Sequence, residues 1–142
     1  MHPVVRNVLA AVAGLFVGGL VNMGLIILGP SIVPYPEGID PTNMESLQAN
    51  IHLLPPKNFI MVYLAHALGT FAGAFTAAKL AAKDQLYIAM FVGVFFLWGG
   101  ITMVRQLDAP MWFNVFDLVC AYIPMAWLGW KFAGGNRLNN PA

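Results

Sequence analysis

Residues 59–78, FIMVYLAHALGTFAGAFTAA, form a run of twenty without one fixed charge. Twenty helical residues rise about 30 Å, the thickness of a bilayer's hydrocarbon core. Lys57 stands just before the run and Lys79 just after it, so charge marks both edges. At helical spacing His66, Gly69, Thr70, Gly73 and Ala77 share one face, while Leu64, Leu68, Phe71 and Phe75 share the opposite one. Small residues let helix backbones approach closely, and the large apolar face suits lipid. A chain built around such a stretch reads as an integral membrane protein in contact with the lipid bilayer.

The rest of the chain repeats the pattern. Of its 142 residues 59% are hydrophobic and 9% charged, against about 25% charged in soluble domains. Three further spans are predicted, over about 4–28, 86–104 and 112–133, with the second placed over 59–80. The fold class is therefore all-α, a bundle of four transmembrane helices in a single domain covering 1–142, with a polar tail from 134. The first span follows a short front with one arginine, Arg6, but its apolar run is long for a signal peptide and no small-x-small cleavage pattern follows, so it reads as an uncleaved helix. In this span Gly14 and Gly18 repeat the spacing of Gly69 and Gly73 in the second, which predicts that all four glycines mediate helix packing.

Residues 29–57 form the one long polar segment. Gly29-Pro30, Pro34, Pro36 and Gly38 oppose a continuing helix. Beyond them Asp40 suits an N-cap and Pro41 a first helical turn, and Met44, Leu47, Ile51 and Leu54 recur near helical spacing. A short amphipathic helix over 41–53 is expected, lying on the outer membrane surface or over the mouth of the bundle. In the last span Pro124 predicts a kink. Arg6, Lys79, Lys83, Lys131 and Arg137 fall at one side of the predicted bundle and Lys57 and Arg105 at the other, which predicts cytoplasmic termini.

Depth brings the polar residues together. Measured from the outer span ends, Asn22 lies about 10 Å inside, His66 about 12 Å and Asp117 about 8 Å. Asn114 lies in the same outer layer, Arg105 caps the third span, and Thr70 shares the face of His66. Asn114, Cys120, Ala121 and Pro124 fall on the face of Asp117, with Val115, Val119 and Tyr122 behind it. A buried ionisable group in a membrane faces the bundle interior or a water-filled cavity. Two readings follow for the candidate set Asn22, His66, Thr70, Arg105, Asn114 and Asp117. In one it is an outward-facing pocket in which Asp117 and His66 handle a proton or cation, with Arg105 as counter-ion. In the other the same groups tie helices together.

No recognised catalytic chemistry is visible. There is no G-x-S-x-G, HExxH or phosphate loop. His52 and His66 are separated by Pro55-Pro56, which excludes a haem pair on one helix, and His66 with Asp117 supplies too few ligands for a metal. The single cysteine, Cys120, excludes an internal disulfide. A net charge of +1 excludes a nucleic-acid partner. No cofactor or catalytic residue is therefore assigned. A non-enzymatic accessory or scaffold protein is expected, with a homo-oligomer or a membrane complex as its setting; an oligomeric transporter or channel for a proton, cation or small solute is the alternative.

The segments PEGIDPTNMESL, AHALGT and DLVCAYIPMAWLG together resemble a group of small bacterial four-helix integral membrane proteins. The resemblance covers nearly the whole chain. It implies the four-span architecture and a bacterial inner membrane, and it carries no activity or site residue with it.

Overall fold

A computed structural model describes residues 1–135. Among these residues the chain is helical, without strands. Four of its helical stretches, Pro3–Ile32, Pro56–Leu80, Gln85–Gln106 and Met111–Phe132, are long and apolar enough to cross a bilayer.

Helix α1 spans Pro3–Ile32, with His2 as N-cap and Pro3 in its first turn. It runs past the expected end at 28, through Gly29 and Pro30. Proline removes only the N–H that would bond Ile26, and the turn beyond it closes through the Val33 N–H donating to the Gly29 carbonyl at 2.8 Å. The outer segment is shorter than expected at this end as a result.

Helix α2, Met44–Asn50, continues as a single 3₁₀ turn, Ile51–Leu53. Its start also departs from the expected helix over 41–53. Asn43, not Asp40, is the N-cap, its Oδ1 accepting from the Ser46 N–H at 3.0 Å. Asp40 is engaged in its own turn, where Oδ1 accepts from the Thr42 N–H at 2.8 Å and the Thr42 hydroxyl at 2.7 Å. A side chain closing such a turn offers the backbone an alternative to the helix. Ile51 and Leu54 bury against Phe59 and Phe113, so the segment lies over the mouth of the bundle.

Helix α3, Pro56–Leu80, is the centre of the molecule. It packs on α1, on α4 (Gln85–Gln106) and on α6 (Ile123–Phe132), and its contact with α1 is the most extensive in the fold. The reason is a glycine-on-glycine crossing. A Cβ on Gly73 would lie 2.7 Å from the Gly14 carbonyl oxygen, and one on Gly18 would lie 2.7 Å from that of Gly69. Asn58, buried at the head of α3, donates through Nδ2 to the carbonyls of Val33 and Pro34 and ties α3 to the end of α1. At the opposite end the Arg6 Nε donates to the Leu80 carbonyl at 2.8 Å, and Asn7 bridges the turn at Ala82 and Lys83. Asp84 provides that turn with a φ of 56°.

The fourth span is broken. Helix α5, Met111–Cys120, ends at Ala121, and α6 begins after Tyr122 with Pro124 in its first turn. Gly129 seats α6 against the backbone of α3, where a Cβ would meet the Phe71 carbonyl oxygen at 2.7 Å. Ala74, Ala78, Ala89, Ala126 and Trp130 form the core beside it. Large apolar side chains including Phe16, Leu20, Trp98 and Val119 remain exposed around the bundle. Contiguous apolar surface on this scale is foreign to water-facing monomers. Arg137 and the rest of the expected tail beyond 135 lie outside the described residues.

Candidate functional site

The helices enclose a cavity of about 310 Å³ under the outer segment. Ile26 of α1, Met44 and Leu47 of α2, Val62 of α3, Met103 and Val104 of α4 and Phe113 of α5 line its apolar walls. Asn22, His66, Asn114 and Asp117 also line it.

The polar end is built by His66, Asp117 and Tyr122. His66 Nδ1 lies 2.9 Å from both carboxylate oxygens of Asp117. The Tyr122 hydroxyl donates to Asp117 Oδ2 at 2.9 Å, and its oxygen lies 3.0 Å from His66 Nδ1. A carboxylate only accepts, so Nδ1 carries the proton that His66 gives Asp117, and Nε2 is left free. Asp117 is 3% exposed and Tyr122 equally buried, whereas the His66 side chain is 18% exposed. Both line the cavity, and the imidazole is the more open of the two, with the carboxylate held beneath it.

The helix break makes this arrangement. On a continuous helix Tyr122 falls behind Asp117, which is where the sequence pattern places it. Pro124 brings no N–H for the carbonyl of Cys120, and α5 stops short. Tyr122 then takes φ −115° and ψ −75° and turns inward. Gly100 of α4 provides the space, since a Cβ there would lie 2.5 Å from the Tyr122 hydroxyl oxygen. The sequence signal that could have found Tyr122 is Pro124, whose expected kink frees the residues before it from the face of a continuous helix.

The remaining members of the expected polar layer divide. Asn22 lines the cavity, and its Oδ1 is buried without a hydrogen-bond partner. Asn114 lines it too and donates to the Ala109 carbonyl at 3.0 Å. Thr70 is buried but bonds back to the His66 carbonyl at 2.8 Å, and it is outside the cavity lining. Arg105 is not the counter-ion of Asp117. It is exposed at the end of α4, where its long side chain reaches water, and His66–Asp117 is the ion-pair geometry recorded among the described residues. Tyr35, at the outer edge of the cavity, has its phenol pushed above the ordinary range by burial and stays a neutral donor. Among the described residues no three His, Cys, Asp or Glu side chains gather as metal ligands.

Compared with known protein families, curated proteins and solved structures, the chain matches none.

Proposed function

We propose that the chain is a small multi-pass protein of a bacterial inner membrane that works without catalysis, as an accessory protein holding a small, mostly apolar molecule. The cavity carries this reading. Its volume of about 310 Å³ falls at the lower end of ligand pockets, and its composition, apolar walls with a few convergent polar groups, is theirs as well. Among the described residues no serine, threonine or cysteine side chain bonds the His66 ring, which argues against acyl-transfer chemistry here. A transporter is the second reading, favoured by one observation: Asp117 is held beside a break in the fourth span, and broken helices carry the binding sites of many transporters.

The orientation we propose has both termini in the cytoplasm. Arg6, Lys79, Lys83 and Lys131 gather at one end of the bundle, and Lys57 and Arg105 at the other. A C-terminal phosphatase fusion that is active in the periplasm overturns it.

The test of function is native mass spectrometry of protein released gently from its own membranes, beside the cavity-filling variant Met103→Trp. A small molecule retained by the wild type and lost from the variant supports the ligand-holding reading. A stoichiometric partner chain identifies the complex the protein serves. An empty chain that behaves like its variant refutes the reading.

A further inference from the structure

We infer that the molecule held in this cavity is a lipophilic organic monocation with N–H donors, and that it binds in exchange for a proton on His66. The inference rests on the cavity reading above and concerns the chemistry of its polar end.

The charge balance leads to it. Asp117 is buried against one ionisable partner capable of positive charge, His66. Tyr122 gives the carboxylate a hydrogen bond but no charge. With a neutral imidazole the cluster carries one negative charge; with an imidazolium it carries none. No lysine or arginine lines the cavity. The fixed charges of the packed helices, Arg6 of α1, Lys57 and Lys79 of α3, Arg105 of α4 and Lys131 of α6, lie in terminal turns. The other titratable groups on the elements around the cavity are Tyr63, Cys120 and Tyr35, none of which can carry positive charge, and Glu45 and His52 of the covering segment, which are outside the cavity lining. An uncompensated buried charge is costly. It is relieved by a proton, on His66 or on the carboxylate itself, or by a cation in the cavity, and proton and cation oppose each other.

Hydrogen bonding selects the same class. His66 Nε2, once deprotonated, is an acceptor. Asn22 lines the same cavity, but its Oδ1 is closed off from it. An ammonium group donates to Nε2, one ring away from the carboxylate, while its apolar body lies among Met23, Ile26, Met103, Val104 and Phe113. Written as a balance, the imidazolium–carboxylate pair and one ligand cation give the imidazole–carboxylate pair with the cation bound, and one proton goes to water. A carboxylate ligand meets no compensating cation here.

The experiment uses three probes on one skeleton, 4-phenylbutylamine, 4-phenylbutanol and 4-phenylbutyrate, with the full chain in lipid nanodiscs. The amine is expected to bind at least tenfold more tightly than the alcohol, and the carboxylate not measurably. The affinity of the amine should rise with pH, approaching tenfold per pH unit where one proton is released. His66→Gln should flatten that profile, and Asp117→Asn should erase the ranking. If Asp117→Asn does not fold, the wild-type profile and His66→Gln decide the matter. An alcohol or carboxylate that binds as tightly as the amine, or an amine affinity independent of pH, overturns the inference and leaves the cavity reading standing. Failure of all three to bind removes both.

Discussion

A single methyl group on Gly73 tests the architecture. Its Cβ would lie 2.7 Å from the Gly14 carbonyl oxygen, 3.2 Å from the Gly18 Cα and 3.2 Å from Val92 Cγ1. Two of these atoms are backbone, so no rotamer change relieves the clash. Comfortable contact needs about 3.5 Å, so α1 must withdraw from α3 by several tenths of an ångström along their crossing. Overfilling a packed core costs about 1–3 kcal/mol. Alanine returns up to about 1 kcal/mol through its better helix propensity. With the full return Gly73→Ala should thus lose up to about 2 kcal/mol, and Gly73→Leu more. The control is Gly19→Ala, on the same α1 helix, where the added atom meets nothing within 4 Å. It should leave stability unchanged or slightly raised. Reversible unfolding in mixed detergent micelles, read by tryptophan fluorescence, measures both. Equal stabilities for Gly73→Ala and Gly19→Ala would refute the backbone-to-backbone crossing and the packing argument built on it.

Other consequences are open to direct measurement. Tyr122→Phe removes the hydroxyl that bonds Asp117, and unfolding should register a loss of about 1–3 kcal/mol, since the acceptor is charged and buried. Gly100→Ala should reproduce much of that loss by displacing the same ring, whereas Gly99→Ala, in open space, should not. Asn43→Ala removes the cap of α2 and should raise amide exchange across 44–50, by the equivalent of about 1 kcal/mol, with little change in global melting. The Asp40 carboxyl is held below its ordinary value by the hydroxyl and backbone N–H of Thr42. Its turn is consequently stabilised at neutral pH and loosens as the pH falls through that lowered value. Carboxyl NMR should find the Asp40 midpoint moving upward in Thr42→Val.

The spans were legible because length and apolarity alone determine whether a helix can cross a bilayer. The glycine crossing was legible for a similar reason: Gly14 and Gly18 repeat the spacing of Gly69 and Gly73, and small residues at that spacing invite close approach. Depth counting likewise brought His66 and Asp117 to one level. It could not orient them: a kink was expected at Pro124, but the faces were still counted on a continuous helix, and the break at Ala121–Tyr122 puts Tyr122 in the place expected for Arg105 as the third member of the cluster. The start of α2 was misplaced for a local reason. Asp40 and Asn43 are both good caps, and only the geometry of the Thr42 turn decides between them. At Pro30 the general rule against helix continuation met a position so close to the C-terminus that one lost bond was tolerated.

The divided fourth span also grades the molecule in stiffness. Its second half, α6, is seated on α3 through Gly129 and the alanine-rich core, whereas the first half, α5, touches α3 far more sparingly. The two halves meet at one residue pair with no helical ladder across it. Displacement of α5 therefore requires little disturbance of α6 and its seat on α3. The carboxylate of Asp117 rides on the compliant half while its partner His66 is fixed to the rigid one. A small tilt of α5 would therefore change the distance between Asp117 and His66.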